Sequence, residues 1–270
     1  METGENNPII QIVDKSFNND FLNQYHLSIE LSKKTLSYCI IDTKKLRCHL
    51  LHSVNYNNQE DLSNLLSNDM YITKKFHSKS IALSNYPNTL VPEELYNEKD
   101  NKKIFELNHE KAEVILIDNL NNYQIKNIFS IPETLNQTIN NLIPNINIKS
   151  QTTILIDYIL SKNYNAEKLT LYIKDNYVNI LIANNNQLIF QNKFQFSTKE
   201  DLLFYSLFCI QEMNLSPEKI DTEIYGNISK SGFQILYEYI RNIQYGNKLK
   251  DISFSNEFHN IEEHCFNILY

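Results

Sequence analysis

Glycine is scarce in this sequence and tryptophan is missing from it: 4 of the 270 residues are glycine and none is tryptophan. Turns that hold phosphate groups need several neighbouring residues without a Cβ atom, because the backbone must approach the phosphate closely. The sequence is therefore a poor match for proteins that bind nucleotides through a glycine-rich loop.

Concentrated positive charge is also lacking. The formal net charge is −7, and no basic run is longer than a lysine pair such as Lys33-Lys34. A nucleic-acid-binding protein usually presents a basic face. We therefore expect no nucleic acid among the partners.

Cysteine pairs and long apolar runs are missing as well. The four cysteines (Cys39, Cys48, Cys209 and Cys265) lie in apolar stretches without a CxxC pair, as buried thiols of a reducing compartment do. The N-terminus has no signal-peptide pattern, and the longest apolar run, residues 202–210, is too short for a membrane span. The sequence predicts a soluble, cytoplasmic protein.

Hydrophobic periodicity predicts an α/β fold. Leu27, Ile29 and Leu31 alternate with other residues, as in a strand. Further apolar runs at 36–41 and 46–54 complete a three-stranded meander, and residues 58–67 follow with helical spacing.

The same order recurs in the second half. A meander over 169–196 precedes a helix that is predicted to start at an N-cap Ser197, with Glu200 at the capping-box position, and to run through Met213. The two meanders align without a gap at an offset of 142, and the next strands, 80–85 and 222–227, align at that offset too. We interpret this as an internal duplication, with a first half at 1–163 and a second half at 164–270.

Additional elements follow in each half. In the first, strands are predicted at 114–117, 125–131 and 145–149, and helices at 132–143, with Pro132 in its first turn, and at 152–161. In the second, helices are predicted at 233–243 and 261–269, and a strand at 251–254.

This plan resembles the duplicated ribonuclease-H-like fold of actin, Hsp70 and the sugar kinases, in which two mixed sheets carry flanking helices. The pieces YHLSIELS (25–32), LSYCIID (36–42) and FSIPETL (129–135) resemble a Bacteroidetes-type family of unknown function, DUF3822, assigned an actin-like ATPase fold. Residues 125–160 also resemble the matching passage of actin-like pilus-assembly proteins. The resemblance implies a bacterial protein of this fold and implies no established activity.

Active members of this superfamily hold phosphates in the first hairpin of each half, with an Asp, a Gly and a Ser or Thr. The corresponding hairpins here, 30–35 and 172–177, contain no glycine. In one interpretation Glu30 replaces the metal-side Asp, with Ser32, Lys33 and Thr35 around the phosphate. The favoured interpretation makes Glu30 a solvent-facing strand residue and the lysines part of an exposed turn.

Other residues that could belong to a binding or catalytic site have equally ordinary structural explanations. Asp175 lies in the second turn, and Gly226 follows a late strand, where it could mark an adenosine site or only permit a turn. Asp118 ends a strand, where α/β enzymes place acids, although Asp-Asn is also ordinary turn chemistry.

The histidines are not placed to share a metal ion. His49 and His52 should point to opposite faces of a strand, and His259 and His264 are spaced wrongly for one helix face. We nominate no metal site and no catalytic set.

The preferred hypothesis is a non-catalytic actin-like domain, a pseudo-ATPase without a cofactor, that contacts an unknown protein partner or a second copy of itself. Phe204-Tyr205 and the aromatic residues at 237–239 could anchor an interface, although aromatic residues at helical spacing more often belong to the core. The alternative is a divergent nucleotide-binding ATPase or kinase that holds ATP and Mg²⁺ with Glu30, Ser32, Asp175 and Gly226. Nucleic-acid binding, a third option, would need a basic stripe.

Overall fold

The computed structural model of the protein describes residues 10–162, 166–247 and 252–261. These residues form two compact units, each of mixed α/β structure. The first comprises residues 10–154 and 252–260, and the second comprises residues 155–162, 166–247 and 261.

The strands of the first unit form two sheets. In chain order they are β1 (Ile10–Val13), β2 (Tyr25–Leu31), β3 (Thr35–Asp42), β4 (Arg47–Asn55), β5 (Ser78–Leu83), β6 (Asn88–Pro92), β7 (Val114–Leu120), β8 (Ile125–Ile131) and β9 (Asn147–Ser150). The larger sheet has the order β1-β4-β3-β2-β5-β9, and the smaller has the order β6-β8-β7.

Helices α1 (Gln59–Asn68), α2 (Asn101–Glu106), α3 (Glu133–Leu142) and α4 (Gln151–Ser161) follow these strands. Short 3₁₀ segments occupy Asn19–Gln24, Glu93–Leu95, Glu98–Asp100, Asn121–Tyr123 and Asn256–Phe258. The main core packs the alternating apolar residues of β2 against buried leucines such as Leu62 of α1 and Leu135 of α3. This burial explains why Leu27, Ile29 and Leu31 gave a clear strand signal.

The second unit has one sheet and two helices besides the end of α4. The strands are β10 (Lys168–Lys174), β11 (Tyr177–Asn184), β12 (Gln187–Gln195), β13 (Asp221–Gly226) and β14 (Asn242–Tyr245), and the helices are α5 (Lys199–Glu212) and α6 (Lys230–Tyr239). The strand order β12-β11-β10-β13-β14 repeats the order β4-β3-β2-β5-β9 of the first unit. Leu202 of α5 and Leu236 of α6 complete a core with the apolar residues of β10 and β11.

The strand registers correct the constant offset of 142. That offset holds for the first hairpin of each unit, where Leu27 pairs with Ile40 and Leu169 with Ile182. The second hairpin differs in length, because four residues separate β3 from β4 whereas only Asn185-Asn186, both with positive φ, separate β11 from β12. The third strands therefore correspond at an offset of 140, and the fourth strands, β5 and β13, correspond at 143.

Several predicted boundaries are wrong. The N-cap of α5 is Thr198, with Asp201 completing the capping box, so that both lie one residue beyond the predicted Ser197 and Glu200. Pro132 is the N-cap of α3 and not its first residue. The helix predicted to reach residue 243 ends at Tyr239.

The elements predicted near the C-terminus are only partly covered by the described residues. Of the strand predicted at 251–254, the described part forms only an isolated bridge between Ser253 and Arg47. The helix predicted at 261–269 lies, apart from Ile261, outside the described residues. Cys39, Cys48 and Cys209 are buried free thiols as predicted, and Cys265 lies outside the described residues. In the part of the chain that the structure describes, no helix is long and apolar enough to cross a membrane.

An ion pair with a buried carboxylate lies at the β1 end of the larger sheet. The Asp14 carboxylate accepts a hydrogen bond from Arg47 Nε at 2.7 Å and two from Ser16 at 2.8 Å. Burial alone would raise the pKa of Asp14, but these hydrogen bonds and the charge of Arg47 hold it well below its ordinary value of 3.8. The pair therefore stabilises the fold above that value, and the contribution disappears as the pH falls through the folded pKa.

We expect Asp14→Asn to lower the free energy of unfolding by about 2 kcal/mol at pH 7, because a hydrogen bond between charged groups becomes a neutral one. The difference from the wild type should be smaller at pH 3, where the wild type has lost part of this contribution. Denaturant unfolding at pH 7 and pH 3 measures this difference in the free energy of unfolding, with the exposed Asp20→Asn as the matched control. An equal difference at both pH values would contradict this account.

Candidate functional site

The turn between β2 and β3 is closed by a serine hydroxyl. Ser32 is fully buried, and its Oγ accepts hydrogen bonds from the backbone N–H groups of Lys34 at 3.2 Å and Thr35 at 2.9 Å. The Ser32 N–H donates to the Thr35 carbonyl at 3.0 Å, and the Tyr56 hydroxyl donates to the Ser32 carbonyl. Two N–H groups that a phosphate-binding turn would offer to a ligand are thus bound within the turn.

Glu30 does not face solvent, so the favoured interpretation of this residue is wrong in that respect. It lies in β2 between Ser37 of β3 and Ala82 of β5, and only 4% of the residue is exposed. β2 is an inner strand whose residues are buried on both faces of the sheet, so this position is buried as well.

Asp175 and Gly226 lie at the same end of the second sheet. Asp175 has a left-handed backbone (φ 54°) in the two-residue turn after β10, and Gly226 (φ 80°) ends the parallel neighbour β13 opposite Ile173. A Cβ atom on Gly226 would lie 2.0 Å from the Ile173 carbonyl oxygen, so the close backbone approach requires glycine. Glu30 and Ser32 belong to the other unit.

Ser84 and Gln151, which sequence reasoning missed, form a row with Ser32 across the first unit. They directly follow the neighbouring parallel strands β2, β5 and β9, which pair Leu31 with Leu83 and Leu83 with Ser150. Ser84 Oγ and Gln151 Nε2 are buried and find no hydrogen-bond partner among the described residues. Open α/β sheets bind ligands beyond the carboxyl ends of their strands. We call these three residues the carboxyl-end row.

Asp118 belongs to a buried polar network beside this row. It lies inside β7, not in a turn, and its Oδ2 accepts hydrogen bonds from Ser150 N–H at 2.8 Å and Thr153 Oγ1 at 2.6 Å. The Asn127 amide donates to Thr153 Oγ1 at 2.8 Å and accepts from Asn88 at 3.0 Å. Burial raises the pKa of Asp118, and the bonds from Thr153 and Ser150 limit the rise. The carboxylate thus lies where the N-terminus of α4 favours negative charge.

A second polar cluster is buried in the other unit. Glu223 accepts hydrogen bonds from Lys168 Nζ at 2.7 Å and from the Tyr225 hydroxyl at 2.6 Å, and Lys162 Nζ lies 3.6 Å from its carboxylate. Burial alone would raise the pKa of Glu223, but these partners hold it below its usual value. Every polar atom in the cluster named here has a partner, so it serves to join β10, β13 and the end of α4.

Aromatic side chains of α5 and α6 are exposed, contrary to the expectation that they belong to the core. Phe204 and Phe208 of α5 are 61% and 44% exposed, and their rings stack with centroids 5.9 Å apart. Tyr237 and Tyr239 of α6 are more than half exposed. Tyr205, in contrast, is half-buried and stacks on Phe194 of β12.

The described histidines do not form a metal site, and His264 lies outside the described residues. His49 is buried beside Asp14, 3.9 Å from its carboxylate, whereas His52 packs against the ring of Tyr38. Within residues 10–162, 166–247 and 252–261, no group of three or more His, Cys, Asp and Glu side chains could hold a metal ion.

The family model described as "Protein of unknown function (DUF3822)" matches residues 14–243. The chain belongs to this family. That match covers both units and agrees with the resemblance of the three short pieces named above. No curated protein matches the chain.

Solved structures identify the fold. A Bacteroides thetaiotaomicron protein with an actin-like ATPase fold and unknown function is 21% identical, with a TM-score of 0.78 over 90% of this chain and 98% of that one. The PilM-PilN type IV pilus biogenesis complex matches at 12% identity and a TM-score of 0.63, over 90% of this chain and 96% of that one. The ethanolamine utilization protein EutJ from Carboxydothermus hydrogenoformans is more distant, at 6% identity and a TM-score of 0.47, over 84% of this chain and 87% of that one. The protein has the actin-like ATPase fold.

Proposed function

We propose that this protein is a non-catalytic actin-like protein, a pseudo-ATPase that acts through contact with other proteins. One observation carries the proposal: inside the first hairpin, the Ser32 hydroxyl accepts hydrogen bonds from the backbone N–H groups of Lys34 and Thr35. A nucleotide phosphate would have to break these two hydrogen bonds before it could use the same donors. The cost of leaving a buried hydroxyl unsatisfied opposes that exchange.

The second hairpin supports the same conclusion. Its turn consists of Asp175 and Asn176, without glycine, and Asp175 would bring negative charge to the place of a phosphate. Gly226 has a sufficient reason to be glycine in its approach to Ile173, so no nucleotide contact is needed to explain it.

Protein contact is supported by the exposed aromatic pair Phe204 and Phe208, because exposed aromatic residues are enriched at interfaces. PilM, which shares the fold, is seen in a complex with PilN. The repeated strand order supports an origin by internal duplication into halves at 1–163 and 164–270. A cytoplasmic location is part of the same proposal.

Titration of the full chain with Mg·ATP tests the absence of nucleotide binding. We expect no binding heat in calorimetry and no rise in melting temperature at millimolar Mg·ATP, with Mg²⁺ alone as the control. A ligand at 100 times its dissociation constant stabilises a protein by about 2.7 kcal/mol, so micromolar binding would be plainly visible as a higher melting temperature. Such a rise would overturn the proposal.

A divergent nucleotide-binding ATPase or kinase is the second candidate. Its specific support is the carboxyl-end row, in which Ser84 Oγ and Gln151 Nε2 are buried without a partner. These atoms could donate to a ligand next to Glu30 and Ser32 in the first unit. Asp175 and Gly226, the other residues of this hypothesis, belong to the second unit. If the wild type binds Mg·ATP and Gln151→Ala weakens that binding at least about tenfold, this candidate replaces the first.

A further inference from the structure

The outer side of α5 carries one narrow apolar stripe. Apart from Lys199 at its start, the exposed positions of this helix are Glu200, Phe204, Phe208, Gln211 and Glu212, which fall within about a third of a turn at 100° per residue. We call Phe204 and Phe208 the aromatic pair. The helix packs against its sheet and against α6, and neither contact covers these two stacked phenylalanines, although their burial would be favourable.

Acidic side chains lie at both ends of the aromatic pair. Glu200 lies four residues before Phe204, and Glu212 lies four residues after Phe208, so the two carboxylates are about 18 Å apart along the helix. Lys199 reaches Glu200 at 3.8 Å, but both side chains are exposed and Asp201 adds a further carboxylate at this end. Among the described residues, no ion pair involves Glu212.

This arrangement of charge disfavours a second copy as the occupant. The midpoint of the aromatic pair is residue 206, so an antiparallel α5 pair about a twofold axis would place Glu200 of one copy against Glu212 of the other. A parallel pair would place each glutamate against itself. Both arrangements bring like charges together at the ends of the interface, which costs binding energy.

We propose that α5 docks a segment of another protein that presents apolar side chains between two basic residues about 18 Å apart. The apolar centre covers the aromatic pair, and the two basic residues meet Glu200 and Glu212. A helix that packs along α5 has the required reach, because twelve residues of helix span the same distance. This inference names the chemistry of the partner and rests on the proposed function.

The test is a selection from a displayed library of random 20-residue peptides against the full chain, with counter-selection against the double variant Phe204→Ser, Phe208→Ser. We expect the enriched peptides to carry Lys or Arg on both sides of an apolar centre. One synthesised peptide should bind the double variant at least tenfold more weakly than the wild type. Leu107→Ser, which removes a more exposed apolar side chain in the other unit, should leave binding unchanged.

Charge reversal provides the second readout. The double variant Glu200→Lys, Glu212→Lys should weaken the same peptide at least tenfold, and a peptide with Glu in place of its basic residues should recover the loss. Enriched peptides without basic ends, no enrichment at all, or self-association of the chain that the serine variant abolishes would overturn the inference. Binding of Mg·ATP would overturn the proposed function while leaving these outcomes unchanged, so the two failures are distinguishable.

Discussion

Gly226→Ala is expected to lower the free energy of unfolding by at least about 3 kcal/mol. The left-handed backbone at this position (φ 80°) costs a residue with a side chain about 1–2 kcal/mol. The new Cβ atom would also lie 2.0 Å from the carbonyl oxygen and 2.9 Å from the carbonyl carbon of Ile173. These are backbone atoms of β10, which is paired with both β11 and β13, so they can move only if the sheet distorts.

Gly232→Ala is the matched control. A Cβ atom there would lie 3.1 Å from Ser229 Oγ and 3.2 Å from a side-chain carbon of Ile228, so side-chain atoms need to shift by only a few tenths of an ångström and no backbone atom is in the way. Alanine also favours the helical backbone of α6 by about 1 kcal/mol. Denaturant unfolding should therefore leave this variant within about 1 kcal/mol of the wild type. A Gly226→Ala protein as stable as the control would show that the approach to Ile173 is not what requires glycine.

Asp118→Ala is expected to cost about 3 kcal/mol of stability, because two buried donors lose their acceptor. Ser150 N–H and Thr153 Oγ1 both donate to the same carboxylate oxygen, and each buried unsatisfied group costs about 1–3 kcal/mol. Asp118→Asn keeps an oxygen in this place and should cost much less. Equal losses in the two variants, measured by denaturant unfolding, would contradict the role of Asp118 as an acceptor.

The pH dependence of the Asp118→Asn variant adds a second readout. The pKa of Asp118 is raised above its ordinary value of 3.8 by burial, so ionisation of this group opposes folding. Its contribution to stability is fully present below the ordinary value and is lost as the pH rises through the folded pKa. We therefore expect the stability of the Asn variant relative to the wild type to increase between pH 4 and pH 7.

The fold could be predicted from local signals because the first strand of each meander alternates, apolar runs follow it, and the turns between them carry polar residues. The single offset of 142 failed where the turns changed length: two asparagines with positive φ close the hairpin between β11 and β12. The end of α6 failed for another reason. Ile240 and Ile243 have helical spacing, but Ile243 pairs with Thr222 in a parallel strand, so tertiary pairing overrides the local pattern.

The candidate site was less accessible to sequence reasoning. Ser84 and Gln151 belong to no motif, and they lie beside each other only because β5 and β9 pair in one particular register. Glu30 was wrongly predicted to face solvent, because a single charged residue in a strand is usually exposed. Both faces of the inner strand β2 are covered, and this buries Glu30.

The backbone amides of Lys34 and Thr35 provide the most direct measurement of the central claim. Their N–H groups donate to Ser32 Oγ, so NMR of the isotopically labelled full chain should show both amide resonances unchanged as Mg·ATP is added to millimolar concentration. Saturable shifts of both resonances would mean that a phosphate replaces the serine hydroxyl as their acceptor. That result would contradict the assignment of this protein as a pseudo-ATPase.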